Sequence, residues 1–479
     1  MMLQKSTLML PVENQVREFD AKLLLACVAA ERGFPVVLGS RPYVNFAVPH
    51  LQRGVFVAKS LRARSVLMFN LIRDLGHAIV AWDEESLVRF QSPEYCPWRF
   101  SEATFRPINH LFAWGADDAE LFSSYPGNRG VPVHVTGNPR TDLLRKELRG
   151  YFLPEADALR DRFGDFILIN TNFSFVNSFV PKLNLVLRTG PLQRPALSRT
   201  GQGMSLDFAQ GLSGHQQAIL DSFRTLLPML SAWFPDRAIV LRPHPSEDHS
   251  VWKAASSDLK NVHVIHEGNV VPWLMSCRVL LHNGCTTAVE AAVLGTPAIA
   301  YQPVTSGCFD YPLPNSLSHQ AMTSEQVREL LAAVLERDLG PVDESRRRGV
   351  FDRHLQSTDG PLAADRVMDV VQKAGYGSGP PAWPGAARFA KGWFVSQMRT
   401  LIKHVNMRRR DHWNSAEYHS HRFPEIGADE IDRRIGRLRA QLGRFEGVQA
   451  RQVSRFLFRV VGPETESVLE RRLHAAAMN

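Results

Sequence analysis

Three short clusters in this chain carry groups suited to phosphate and sugar chemistry. The richest is His282-Asn283-Gly284-Cys285-Thr286-Thr287-Ala288-Val289-Glu290. An apolar run, Arg278–Leu281, enters it and a helical pattern, Thr286–Leu294, leaves it, so Asn283 and Gly284 fall in a strand-to-helix turn. The first N–H groups of a helix have no partner inside it and stand at the positive dipole end, which suits phosphate. Thr286 and Thr287 add hydroxyl donors, and Glu290, one turn on, is placed to accept ribose hydroxyls. Second is Arg242-Pro243-His244-Pro245, where two prolines fix the backbone and stop a strand. A rigid His beside an Arg can hold a diphosphate or a leaving phosphate. Third is Asp83-Glu84-Glu85. Adjacent acids repel one another, which tends to raise the pKa of one and suits a general base. Each cluster also has a plain reading: N-capping by Thr286, a turn around an exposed His, a solvated acidic turn.

The surrounding pattern places these clusters. Leu8–Val12, Phe34–Leu38, His77–Trp82, His110–Trp114 and Val131–Val135 read as buried strands. Helical stretches intervene, among them Ala21–Arg32 with Asp20 as N-cap and Gly33 as C-cap, and Val66–Leu75. A helical stretch, Asp142–Arg162, bridges to a second set of strands: Phe166–Ile169, Ala238–Leu241, Val262–Ile265, Arg278–Leu281 and Pro297–Tyr301. His215–Phe234 reads as a helix, and Ser174–Gly214, without clear period, as an inserted loop or lid. Alternating β and α units imply parallel sheets covered on both faces, with ligands at the carboxyl ends of the strands. The clusters lie at such ends, as do Asn170 and Asn172 after Ile169, and Glu13, Arg17 and Arg140 in two further turns, where they suit an acceptor. The expected fold is α/β: two doubly wound Rossmann-like domains, 1–150 and 151–374, facing a cleft. A linker rich in Gly and Pro, Gly375–Gly385, leads into a basic extension where helical patterns resume and no strand is read, making 375–479 a third unit.

Composition sets bounds. At 44% hydrophobic and 22% charged, the 479 residues are neither disordered nor fibrous. Of the net charge of +8, all of it falls in 388–479, which holds 18 Lys and Arg against 10 Asp and Glu; residues 1–387 balance. Five cysteines without a CxxC pair support neither a zinc ribbon nor a disulfide framework. His249, His263 and His266 are scattered, so no metal is expected. No P-loop or well-placed GxGxxG appears. The longest apolar run, Leu23–Ala30, is eight residues, and the N-terminus lacks a signal-peptide core. A cytoplasmic protein is expected. In the extension, Met407–Arg410 lies near Trp393, Phe394 and Trp413, and Ile431–Phe445 alternates Arg with Ile and Leu. That pattern suits either an anionic membrane surface, peripheral on the inner face, or a helical cap on the domains. No nucleic-acid module is visible, and no nucleic-acid partner is expected.

The stretches Glu13–Ala26, Leu38–Arg41, Asp83–Val88, Phe112–Gly115, Thr136–Arg140, Ile167–Phe173, Arg242–Pro245, His282–Ala291 and Phe423–Ile431 together resemble the bacterial surface carbohydrate biosynthesis protein family. The resemblance implies a GT-B glycosyltransferase. The short motifs are also similar to those of bacterial transferases using CMP-activated acid sugars, such as sialyl and Kdo transferases. These pair an acidic (D/E)(D/E)G motif with an HP motif and a Ser/Thr pair. By that likeness Glu84 is the acceptor-activating base, His244 stabilises the leaving phosphate, and Thr286 and Thr287 bind it. Ser86 replaces the motif's Gly, which leaves Asp83 and Glu85 as alternative bases. The implied activity is transfer of a sugar from a nucleotide-sugar donor, with no separate cofactor, to a surface polysaccharide or lipid-linked glycan acceptor. The alternatives are a glycerophosphotransferase or nucleotide-sugar epimerase on the same fold, and a non-catalytic adaptor docked at the membrane.

Overall fold

The computed structural model describes residues 5–189, 192–409 and 412–463. In the first half, β1 (Thr7–Val12), β2 (Val36–Ser40), β3 (Gly54–Ala58), β4 (Ala78–Ala81), β5 (His110–Ala113) and β6 (Val133–Val135) run parallel in the order β2-β1-β3-β4-β5-β6. The second half holds β7 (Ile167–Asn170), a separate hairpin of β8 (Val186–Thr189) and β9 (Arg194–Leu197), and β10 (Ile239–Arg242), β11 (Val262–Val264), β12 (Val279–His282), β13 (Ala298–Tyr301) and β14 (His319–Ala321). Its sheet is also parallel, ordered β11-β10-β7-β12-β13-β14. These are the two doubly wound α/β domains expected, facing a cleft. Each sheet reverses direction about its first strand, opening a crevice at the carboxyl ends beside β1 and β7.

The strands show why both faces are covered. Leu8, Leu10 and Val12 join one core, and Met9 joins the core on the other face of the sheet. Val55 and Val57 part from Phe56 and Ala58 in the same way, as Ile167 and Ile169 part from Leu168 in the second sheet. Apolar runs with both alternating sides buried belong inside parallel sheets.

Several boundaries differ from the sequence reading. Helix α1 spans Gln15–Glu31, so the polar stretch Glu13–Phe19 is mostly its first turns, and Asp20 lies inside the helix rather than at its cap. Glu18 accepts from the Glu13 and Asn14 N–H groups at 3.0 and 3.4 Å. Further polar groups are buried inside the helix with partners of their own: Asp20 takes the Tyr151 hydroxyl at 2.7 Å, and Lys22 pairs with Glu18 at 2.8 Å. Strand β3 was not read, and α2 (Val66–Asp74) follows it where a helix was expected. The stretch 174–214 is not one irregular loop: it contains β8 and β9 and the start of α3 (Leu206–Trp233).

The carboxyl-terminal third returns to the first domain. After α4 (Thr286–Leu294) in the second domain, α5 (Ala363–Val371) buries Val367, Met368 and Val371 in the core around β1 and α1. Helices α6 (Ala386–Met407), α7 (Ala416–Arg422) and α8 (Ala428–Leu442) follow. The extension is helical as read, and it also ends in strands: β15 (Gln449–Ser454) and β16 (Leu457–Val461) form a hairpin, and β16 pairs antiparallel with β2. Among the described residues the first sheet thus has eight strands, its outer two supplied by 449–461.

Candidate active site

The carboxyl ends of the two sheets meet across the cleft around two adjoining cavities. The smaller, about 110 Å³, is lined by Arg17, Glu85 and Arg140 from the first domain and by Asn170, Arg242, His244, Thr286, Thr287 and Glu290 from the second. The larger, about 740 Å³, lies against the first domain and the extension. Arg17, Glu85, Asn172, His244 and Thr286 line both and mark the junction. Residues scattered over more than two hundred positions of sequence thus converge on one place.

On the second-domain side, β7, β10 and β12 run side by side, with Asn170 opposite both Arg242 and His282. The cap of α4 is Cys285, with extended backbone, and not Thr286. Thr286 is the first helical residue, and among the described residues the Cys285 and Thr286 N–H groups have no acceptor. The turn needs Gly284 in a left-handed conformation, φ +87°, with Tyr311 closing over it. Asn283 does not line the cavities; its Oδ1 accepts from the Asn172 N–H at 2.9 Å and ties two loops together. Asn170 Oδ1 is buried and unpartnered.

Arg242 donates to the Glu267 and Gly268 carbonyls at 2.9 and 3.0 Å, its Nε is buried without a partner, and burial lowers its pKa to about 9. His244 Nδ1 accepts from the Ser246 N–H at 3.2 Å, which leaves the ring proton on Nε2. Burial first, then the charge of Arg17, lower the His244 pKa to about 3, so the ring is a neutral donor at physiological pH. Beneath it Glu247, fully buried, accepts from the Thr171 hydroxyl and the Phe173 N–H at 2.9 Å, the Trp252 indole at 3.1 Å and the His244 N–H at 3.2 Å. Sequence reasoning passed over this carboxylate, though it stands three residues after His244. Two of the scattered histidines, His249 and His266, meet beside the site with His421, their ring centroids 5.0–6.0 Å apart. His263 lies elsewhere, against Phe163. Among the described residues no group of three or more His, Cys, Asp or Glu is arranged to hold a metal ion.

The acidic triplet behaves differently from the expectation of mutual repulsion. Each acid faces its own cation or donor. Asp83 is fully buried and clamped bidentately by Arg99. Glu84, behind the cavity wall, accepts from the Trp82 indole at 2.7 Å and lies 3.8 Å from Lys22 and 3.9 Å from Arg140; its Oε2 is buried without a hydrogen-bond partner. Glu85 alone of the three lines both cavities, and Arg17 grips it at 2.6 and 3.1 Å. Desolvation pushes its pKa up, but Arg17 and Arg99 outweigh this and hold it at about 2. The expected upward shift is therefore reversed at Glu85, because Arg17 is hydrogen-bonded to it and the charge of Arg99 adds to the effect.

The first-domain partners are equally engaged. Glu13 is held by Arg41 at 3.1 Å, Lys59 at 3.0 Å and Arg422 at 2.6 Å; against the upward push of burial these cations keep its pKa well below the ordinary value. Glu290 has a partner the sequence did not suggest: Arg140 donates to its Oε1 at 2.5 Å, joining the domains. Arg140 Nη1 and Glu290 Oε2 are buried without hydrogen-bond partners, Nη1 standing 3.9 Å from Glu84.

The extension also walls the site. Arg422 and Tyr418 of α7 and Arg399 and Lys403 of α6 line the large cavity, and His421 meets the Pro245 carbonyl at 2.8 Å. Nothing in the local pattern of 388–479 signalled this, because its cations find their acids far back in the chain. Arg434 pairs with Asp20 at 2.8 Å, Arg437 with Glu155 at 2.5 Å, and Arg444 with Glu31 at 2.5 Å and Asp365 at 2.7 Å. Arg410 of the basic cluster lies outside the described residues.

No family model and no curated protein matches this sequence. Among solved structures, the wall teichoic acid polymerase TagF is similar, at 11% identity and a TM-score of 0.48, over 78% of this chain and 89% of that one. A UDP-GlcNAc 2-epimerase from Methanocaldococcus jannaschii, in complex with UDP-GlcNAc and UDP, is similar at 11% identity and a TM-score of 0.45, over 77% of this chain and 99% of that one. The enzyme of the same name from Neisseria meningitidis, bound to UDP-GlcNAc, stands at 13% identity and 0.46, with the same coverage.

Proposed function

We propose that this protein is a glycosyltransferase that moves a sugar from a nucleotide-sugar donor, held in the small cavity, to an acceptor held in the large one. The observation that carries the reading is the junction: a helix N-terminus with free N–H groups, a neutral His, an Arg and a carboxylate all border both cavities. The donor phosphate rests on the Cys285 and Thr286 N–H groups, with Thr287 and Arg242 beside it. His244 Nε2 donates to the leaving phosphate oxygen, and such donors placed where charge develops are worth much in a water-poor site. Glu85, rather than Glu84 or Asp83, takes the acceptor's proton, because it alone of the triplet stands at the junction. With Arg17 on it, Glu85 is a weak base. Donor phosphate competes for Arg17, and as that pairing loosens the Glu85 pKa rises, so the base is armed by the substrate it needs. Arg140 Nη1, buried without a hydrogen bond though 3.9 Å from Glu84, has a donor to spare for a carboxylate on the sugar, as on a CMP-activated acid sugar such as Kdo or a nonulosonate. No metal or separate cofactor enters this reading. It places the protein at the cytoplasmic face of surface polysaccharide or lipopolysaccharide assembly.

A thermal-shift screen with CMP, UDP, CDP and GDP tests the donor class; stabilisation by none of them would leave an adaptor as the reading. Turnover of the stabilising nucleotide's sugar donor is expected to fall about 10²–10³-fold in His244→Ala, the usual effect of losing one such donor. Wild-type turnover in that variant would remove His244 from the mechanism. A free epimer released without acceptor would instead make the enzyme an epimerase, and transfer of a polyol phosphate a phosphotransferase.

A further inference from the structure

The large cavity is more cationic than a neutral glycan requires. Arg62, Arg64, Arg199, Arg399 and Lys403 line it, and among the described residues none has a carboxylate within ion-pair distance. Arg62 is 5% exposed and donates to the Thr200 carbonyl at 2.6 Å; Lys403 donates to Asn414 Oδ1 at 3.3 Å. The acids on the wall, Glu13 and Glu85, are already taken by other cations. Burial, then the charges of Arg399, Arg41 and Arg199, press the Lys403 pKa down to about 7. Grouped cations without counter-charges are costly to bury, and they persist where an anion is to be bound.

The rim of this cavity is apolar and open to solvent. Helix α6 turns Gly392 and Ser396 toward α2, where a Cβ on Gly392 would meet Asp74 at 3.1 Å. Its outer stripe, Phe394, Met398, Leu401, Ile402 and Val405, is 44–62% exposed. Met398 and Ile402 of this stripe, with the exposed Leu67 of α2, also line the cavity, next to Arg399 and Lys403. Arg408 and Arg409, exposed at the end of the helix, have no carboxylate partner among the described residues. No helix among the described residues is long and apolar enough to cross a membrane. An apolar stripe edged by cations suits the surface of an anionic bilayer. A soluble anion would explain the cations but not the Phe, Leu and Ile around the mouth; a phosphate headgroup whose chains leave across that rim explains both.

We propose that the outer face of α6 lies in the surface of an anionic bilayer, and that the cavity behind it receives the phosphate headgroup of a lipid-borne acceptor. This rests on the large cavity being the acceptor side. The test uses the full chain and co-sedimentation with vesicles of phosphatidylcholine alone or mixed equally with phosphatidylglycerol. Wild type is expected to sediment with the mixed vesicles and far less with neutral ones. Leu401→Asp/Val405→Asp, at exposed positions off the cavity wall, is expected to stay in the supernatant while melting normally and keeping its nucleotide-dependent thermal shift. Sedimentation of that variant equal to wild type would overturn the bilayer contact. For the cavity, monomeric short-chain phosphatidylglycerol is titrated calorimetrically. Arg399→Ala/Lys403→Ala is expected to bind it at least about tenfold more weakly, as the loss of charge-assisted contacts predicts. Unchanged affinity in that variant, or inorganic phosphate binding to wild type as tightly as the lipid, would overturn the headgroup site. Loss of the nucleotide shift in wild type, with vesicle binding intact, would instead strike at the donor reading.

Discussion

The Arg17–Glu85 pair makes the sharpest claim at the residue scale. With Arg17 present, Glu85 stays ionised down to about pH 2, so the free enzyme should show no acid limb from it in the ordinary range. In Arg17→Ala the push of burial is opposed mainly by the more distant charge of Arg99, and the pKa should rise from about 2 toward the ordinary carboxylate range. The profile of kcat/KM should then gain a limb on which activity falls as the pH drops through that new value. A profile unmoved by the substitution would show that Glu85 is not the base. The same pair shows what local sequence can and cannot tell. Arg242, His244, Thr286 and Thr287 were legible because their chemistry lies in spacing of a few residues, and all four line the small cavity. Partner choice was not: Glu85 is 68 residues from Arg17 and Glu290 is 150 from Arg140. An acidic triplet read without its cations suggests a raised pKa; with them, Glu85 goes the other way.

At the scale of elements, the turn into α4 is both the most legible and the most constrained. Gly284→Ala puts a side chain at φ +87°, 3.0 Å from the Tyr311 ring. Left-handed backbone alone costs a residue with Cβ about 1–2 kcal/mol. The variant should lower the unfolding free energy from denaturant titration by that amount or more and weaken nucleotide binding, since the N–H groups of the next residues move with the turn. Strands such as β1, β7 and β12 announced themselves as apolar runs between turn residues. Helix α1 hid its first turns because Glu18 and Lys22 are buried in polar company, a tertiary circumstance that no propensity records. The hairpin β15–β16 was missed for a related reason. Its first strand is largely exposed and polar, and the edge of β2 that it serves lies more than four hundred residues earlier.

For the whole molecule, the extension proves to be less an appendage than a clasp. Its excess positive charge was visible, but the acids that neutralise much of it were not: Asp20, Glu31 and Glu155 all lie in the first third of the chain. Removing 388–479 would therefore strip the first sheet and open the wall of the large cavity, so loss of membrane association in such a deletion would not isolate a docking role. Phe458, fully buried in the core shared with β1 and α1, offers a finer probe. Phe458→Ala should cost about 3–5 kcal/mol, the usual range for emptying such a site, measured by denaturant titration. A loss well under 1 kcal/mol would mean the hairpin contributes little to the first domain.

The pairing of β16 with β2 also bears on how the chain is made. Residues 36–40 leave the ribosome early and must wait for residues 457–461 before their sheet has its full width. The second domain, whose strands all lie within 167–321, has every partner it needs well before that. The pairing predicts that the usual order of folding during synthesis, in which the amino-terminal domain matures first, is inverted. Ribosome-bound chains halted after about residue 400 should hold a protease-resistant second domain beside a first domain that is still cut, and the unsatisfied edge of β2 is where a chaperone would be expected to sit in the interval.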